Sequence, residues 1–520
     1  MGVYFIGVDL GTSGIKAGIM DEVGTILAQE YWDTELVFSG PDRMEQNPDF
    51  FYEKTLQIIK EAKEKAGVHA SDIAGLAIDG QMGGIVGIDR NFCSVTGLDM
   101  GLDIRSEKYN SEIQREYGDV LAETTFGSPR NAPKMMMWAK EYPDVYAKVY
   151  KFITLSGYVT GKIAGLSGDD AFIDYTLLSF FGNEDARKLC WSKDLTRAFK
   201  LDLEKLPRIV NPWDVIGNLT KEAARKSQLK AGMPVTAGAG DQPANLLGAG
   251  FIEPGQLLDV SGSTTLLFAS VDSFIPDTDR QIVMYMPSIV KGKYSAFTYI
   301  NGGGLTLKWF RDEFAVGSSW DELDSKAKQL KPGCDGLLFI PYLGGRQCPY
   351  DAGFRGSWIG MNWGHKKEHL YRAILEGLAY DYLLGLERIR SLFPNFRDVS
   401  IDGTGGGTKS HFWNQIKADV LNIPYRKLGD YQFTLRGCGI IVGYSLGIYT
   451  DLGETAKLFH SGDENSAVKP DLETADIYKR YYNIFRKVFS SPLDTTMGRL
   501  SSTVGEYNIR NKTWLDRTVK

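Results

Sequence analysis

Twice in this chain a short apolar run stops at a turn of small residues and a second apolar run follows. The first instance is residues 3–8, the turn Asp9-Leu10-Gly11-Thr12-Ser13-Gly14, and residues 15–20. The second lies past the middle, where Gly255-Gln256-Leu257-Leu258-Asp259-Val260 meets Ser261-Gly262-Ser263-Thr264-Thr265 and then Leu266-Leu267-Phe268. Runs this short, bounded by Gly and Ser, read as strands joined by hairpins. In the N-terminal half, residues 24–29 predict a third strand and residues 73–78 another. Between them Pro48–Ala66 predicts a helix, with Phe51, Leu56, Ile59 and Ala62 at helical spacing. The order β-β-β-α-β departs from the strict alternation of a dinucleotide-binding sheet. The later half adds strands at 338–341 and 399–402 and helices at 366–392 and 410–421. Arrangement recurs while literal identity does not, which points to duplication of one α/β fold.

At 520 residues the chain exceeds what one core serves, and two large domains are expected. Glu253-Pro254-Gly255 is the expected boundary, giving lobes 1–253 and 254–489 and a polar extension at 490–520. A net charge of -6 with no long Lys/Arg run argues against a nucleic-acid partner. Five scattered cysteines without a CxxC pair read as reduced thiols rather than as a disulfide framework or a zinc site. His365 and His369, the one close histidine pair, are expected to be exposed helix side chains. No signal-peptide start and no run of about 18 apolar residues is present, so a soluble, cytoplasmic protein away from membranes is expected.

Four stretches carry chemistry. Asp241 stands in Thr236-Ala237-Gly238-Ala239-Gly240-Asp241-Gln242-Pro243-Ala244, a lone carboxylate among tiny side chains, with no ionisable sequence neighbour. Such a run lets a ligand approach the backbone, and it equally describes a polar turn after a strand. Gly11, Thr12 and Ser13 offer N–H groups and hydroxyls to phosphate oxygens, Lys16 a point charge, and Asp9 a carboxylate for Mg²⁺ held through water. The P-loop spacing is absent. Gly262, Ser263 and Thr264 could cradle phosphates from the other side or form an ordinary hairpin. Gly405, Gly406 and Gly407, between a strand and a helix start, let a flat ring or ribose lie on bare backbone.

On these residues the chain resembles the FGGY family of carbohydrate kinases, within the actin-like ATPase superfamily. Gly356-Ser357-Trp358-Ile359-Gly360-Met361, followed by His369-Leu370-Tyr371-Arg372-Ala373-Ile374-Leu375-Glu376, matches the family's second signature at every position. Ser128-Pro129 with Pro133-Lys134-Met135-Met136-Met137-Trp138 resembles the first, and both stretches read as structural. The resemblance implies two ribonuclease-H/actin-like domains with a catalytic cleft between them. It implies ATP and Mg²⁺ as cofactors, Asp241 as catalytic base and Asp9 at the metal. It places the phosphate turns at 11–13 and 262–264, the nucleotide turn at 405–407 and the ketose contacts at Gln81, Met82, Asp103 and Arg105. A homodimer is a further expectation.

Gly83 stands where xylulokinases usually have His, Gly101 where Trp is expected, and Gln242 where Asn follows the base. An acidic residue common before Gly437 is also missing, with Gln432 and Thr434 there. The acceptor therefore stays open among D-xylulose, another pentulose, a hexulose, a polyol and an aldonate. Gln81 and Arg105 read equally well as interdomain hydrogen-bonding residues. A chaperone-like ATPase switch that binds a protein and an inactive sugar sensor are the readings from other classes.

Overall fold

The computed structural model describes residues 2–34, 37–38, 43–101, 103–127, 129–351, 353–429, 432–459 and 467–490. The expected extension beyond 490, and Ser128 of the first signature, lie outside the described residues. The N-terminal half builds on β1 (Tyr4–Leu10), β2 (Gly14–Asp21), β3 (Ile26–Asp33), α1 (Pro48–Ala66), β4 (Ile73–Gly80), β5 (Val215–Asn218), β6 (Pro234–Thr236) and α2 (Asp241–Gly248). Its sheet runs β5-β6-β4-β1-β2-β3. β1, β2 and β3 are antiparallel neighbours, while β4 and β6 lie parallel to β1. The C-terminal half builds on β7 (Leu257–Ser261), β8 (Thr265–Val271), β9 (Met284–Pro287), β10 (Tyr294–Ile300), α3 (Gly303–Phe314), α4 (Lys367–Leu392), β11 (Ile401–Thr404), α5 (His411–Leu421), β12 (Tyr425–Lys427) and α6 (Phe433–Ser445). Its sheet runs β9-β10-β8-β7-β11-β12, again with three antiparallel strands (β10, β8, β7) followed by two parallel ones (β11, β12), and with β9 as a fourth antiparallel strand at the edge. The duplication expected from the hairpins is therefore present as topology.

Local chemistry sets the elements that were legible. α1 starts where Asn47 accepts from the Asp49 N–H at 2.9 Å with Pro48 in the first turn, and it stops at Gly67, whose φ is 67°. β3 runs on to Asp33, past the expected end at 29, because its outer face is exposed and tolerates polar residues. His365 and His369 are not the exposed helical pair expected. His365 precedes α4, and the buried His369 uses Nδ1 to accept the Lys366 N–H at 3.2 Å, closing the helix start.

α6 comes late in the chain yet packs on the N-terminal sheet. A Cβ on Gly7 would lie 2.6 Å from the Leu435 carbonyl, and one on Gly437 would lie 2.1 Å from that of Ala244 in α2. The α2–α6 crossing leaves no room for a side chain, so Gly437→Ala is expected to destabilise by about 1–3 kcal/mol in urea denaturation. The two halves also meet through the Arg130 Nη2 bond to Gln347 Oε1 at 2.8 Å and the Tyr175 hydroxyl bond to the Ser288 carbonyl at 3.0 Å. Among the described residues no helix is long and apolar enough to cross a membrane.

Candidate active site

In open sheets ligands bind beyond the carboxyl ends of the parallel strands, and three acids collect there in the N-terminal lobe. Asp9, next to last in β1, stands opposite Lys16 on β2 and opposite Asp79 on β4. Its Oδ2 accepts from Lys16 Nζ at 3.2 Å and from the Thr434 hydroxyl of α6 at 3.3 Å. Asp79 is fully buried, with one oxygen taking the Cys438 thiol at 3.2 Å and the other lacking a hydrogen-bond partner among the described residues. Burial first, then the charge of Asp9, pushes its carboxyl well above the usual range. A bridge from Gly80 to Gly240 brings in Asp241, the first residue of α2. Asp241 accepts its neighbour's backbone N–H, from Gln242, at 2.7 Å. Burial, and next the charge of Asp9, pushes Asp241 up to about 7.

Alone in the sequence, Asp241 is not alone in space. Asp9, Asp79 and Lys16 all act on its neighbourhood. Asp79 escaped sequence reasoning, although Ile78-Asp79-Gly80 ends its strand much as Val8-Asp9-Leu10 ends β1.

The turn of residues 11–13 is tied back by its oxygens. The Ser13 carbonyl accepts the Thr34 N–H at 3.1 Å, and the Thr12 carbonyl accepts the Thr34 hydroxyl at 2.8 Å. That tethering leaves N–H groups and two hydroxyls as what the turn offers an anion. In the C-terminal lobe the turn at 262–264 meets the start of α3, where the Leu305 N–H donates to the Ser263 carbonyl at 2.9 Å. A Cβ on Gly304 would lie 2.1 Å from the Gly262 carbonyl. This helix start was missed, though Gly302-Gly303-Gly304 repeats the three-glycine signal of 405–407. Those later glycines divide: Gly405, with φ of 92°, and Gly407 pack on Ser261, while a Cβ on Gly406 would meet open space.

The expected ketose residues fall into one region. Gln81 donates its backbone N–H to the Leu10 carbonyl at 3.0 Å and its side chain reaches Gln46 at 3.5 Å. Met82 is buried, 2.9 Å from where a Cβ on Gly240 would stand. Asp103 accepts the Met44 N–H at 3.0 Å. Arg105 is held by three carboxylates at once: Asp99 at 2.6 Å, Glu45 at 2.8 Å and Asp103 at 2.8 Å. Its Nη1 has no partner among the described residues. Gly83 and Gly101 face one another, a Cβ on Gly83 lying 3.3 Å from the Gly101 Cα. Two of the departures from the xylulokinase pattern, those at Gly83 and Gly101, thus share one space.

Both halves of the chain match a known family. The model of the FGGY family of carbohydrate kinases, N-terminal domain, matches residues 4–248, and that of the C-terminal domain matches 260–445. A xylulose kinase of Staphylococcus epidermidis is 27% identical, covering 96% of this chain and 99% of its own length. A gluconokinase of Bacillus licheniformis is 26% identical over 93% of this chain and 94% of its own. The solved structure of a ligand-bound xylulose kinase from Lactobacillus acidophilus shares the fold with a TM-score of 0.86 at 23% identity, covering 96% of this chain and 99% of the other. With both of its halves matched, this chain belongs to the FGGY family of carbohydrate kinases.

Proposed function

We propose that this kinase transfers the γ-phosphoryl group of ATP to a terminal hydroxyl of a neutral ketose, D-xylulose first among them, with Asp241 as general base. The observation that carries the reading is the Asp241 carboxyl, poised near neutrality at the start of α2 and next to the Asp9 turn. A base with that pKa is half ionised at working pH and accepts the acceptor's proton as its oxygen attacks phosphorus. Backbone N–H groups of the turns at 11–13 and 262–264, with Lys16, take up the negative charge on the phosphoryl oxygens. Residues 405–407 and the start of α3 receive the nucleotide, so ATP is held mainly by the C-terminal lobe and sugar by the N-terminal lobe.

Asp9 suits Mg²⁺ because it is a hard oxygen donor at the rim of the turn. The one tight group of three acids among the described residues, Glu45, Asp99 and Asp103, is already bridged by Arg105. Mg²⁺ near Asp9 would supply charge neutralisation for the phosphates.

A specific observation favours a neutral acceptor over an aldonate. Arg105 has its charge answered three times over, and Lys134 is buried with its amine on the Asp103 carbonyl at 3.0 Å. A sugar carboxylate beside Arg105 would find that cation, like Arg43 on Glu45 at 2.9 Å, already committed to carboxylates, whereas hydroxyls can donate to those oxygens. With MgATP and a panel of ketoses, polyols and aldonates, ADP release is expected to depend on sugar. D-Xylulose should give the highest kcat/KM and gluconate one lower by about 10²-fold or more. ATP hydrolysis that no sugar changes would reverse the reading in favour of an ATPase switch.

A further inference from the structure

Beneath the turn of residues 261–265 lies an ion pair with no part in the chemistry above. Asp259 and Lys417 have side chains 0% and 1% exposed and are joined Nζ to Oδ2. Lys417 Nζ also donates to Ser261 Oγ at 2.7 Å, and that hydroxyl donates to Asp259 Oδ1 at 2.7 Å. Tyr382 from α4 and Tyr425 from β12 each give Asp259 a hydroxyl at 2.7 Å. The amine sits 3.7 Å from the centre of the Trp413 ring. Every polar atom is therefore engaged, and α4, α5, β7 and β12 are drawn to one point.

Such a pair is a weak source of stability, since desolvating two charges offsets most of their attraction; fixing one arrangement is the better-attested use. What it fixes is Ser261. The Ser261 carbonyl would lie 2.6 Å from a Cβ on Gly405, and the Ser261 Cβ 2.8 Å from one on Gly407. Ser261 is thus the residue on which the turn at 262–264 and the turn at 405–407 both rest. The corresponding hairpins of the two lobes place their acids differently: Asp9 pairs with Lys16 one step from the end of β1–β2, and Asp259 pairs with Leu267 two steps from the end of β7–β8. In the N-terminal lobe the acid and its lysine stay partly accessible beside the turn; in the C-terminal lobe the acid and its lysine are buried beneath it.

We propose that Asp259 and Lys417 are positioning residues which, through Ser261, hold the two turns of the C-terminal lobe at the separation a nucleoside triphosphate requires. The inference rests on the kinase reading above and adds a determinant of nucleotide affinity. Ser261→Ala cuts the link while leaving the ion pair whole. Asp259→Asn/Lys417→Met removes both charges together, so no buried charge is stranded.

Calorimetry with the β,γ-imido analogue of ATP is expected to show both variants binding about tenfold or more weakly than wild type. The KM for ATP should rise in step while the KM for sugar stays within about twofold. The urea midpoint of Ser261→Ala should fall by no more than the loss of one buried hydroxyl's hydrogen bonds accounts for. Analogue binding by Ser261→Ala as tight as wild type would overturn the inference alone. So would a parallel rise in the KM for sugar, which marks general loosening. A wild-type protein that binds no analogue would overturn the kinase reading together with this one.

Discussion

Asp241→Asn is expected to lose about 10²–10⁴-fold in kcat and, at pH 8, to melt at a higher temperature than wild type. The first effect follows from removing the proton acceptor while keeping its shape. The second follows from linkage. In the folded protein Asp241 titrates at about 7, against 3.8 for the unperturbed carboxyl. Between those values the native state keeps a proton that the unfolded state has released, so this group's contribution to stability falls as pH rises through the window. Above pH 7 the native state carries an ionised carboxylate close to Asp9, and the amide removes that penalty of up to a few kcal/mol. Thermal melts at pH 4 should bring the two proteins together, and melts at pH 8 should separate them in the variant's favour. The activity of wild type should fall below about pH 7, approaching tenfold per pH unit, as the base takes up its proton. A variant that keeps near-native turnover, or a wild-type rate flat from pH 5 to 8, would remove Asp241 from the role of base.

The contrast between Asp241 and Asp79 shows what a sequence discloses. Asp9 and Asp241 sit in local runs whose small residues already speak of a ligand, and α1 is bounded by residues that cap helices in any context. Asp79 has no such surroundings. Its place beside Asp9 depends on the parallel register of β1 and β4, which contacts distant in sequence decide. The same holds for α6, assigned by contiguity to the later lobe but seated on the earlier sheet through glycines. Arg105 was singled out only through the family resemblance, and its three acidic partners lie at positions 45, 99 and 103 and converge only when the short strands Met44–Gln46 and Leu98–Met100 pair. Paired hairpins and turn chemistry are local, and they were readable. Which acids face each other is a tertiary fact.

Arg105→Met should therefore do more than weaken sugar binding. It strands Asp99, fully buried, together with Glu45 and Asp103, and breaking such a buried cluster by removing one partner costs about 3–5 kcal/mol. Lysine should not rescue it, because one ammonium cannot reproduce the planar fork whose Nε holds Asp103 while Nη2 reaches Asp99 and Glu45. The sign of the pH response separates this from a simple lost contact. Even with Arg105 present, burial pushes Asp99 up to about 6. Without the guanidinium the Asp99 carboxyl must titrate higher still, so at pH 5.5 it is protonated in the folded variant and the most deeply buried of the stranded charges is gone. Urea midpoints should then lie far apart at pH 8 and nearer to one another at pH 5.5, while the variant's KM for sugar stays raised at both. Equal gaps at the two pH values would mean that packing, not charge, is what Arg105 contributes. An unchanged KM for sugar would take Arg105 out of the acceptor site.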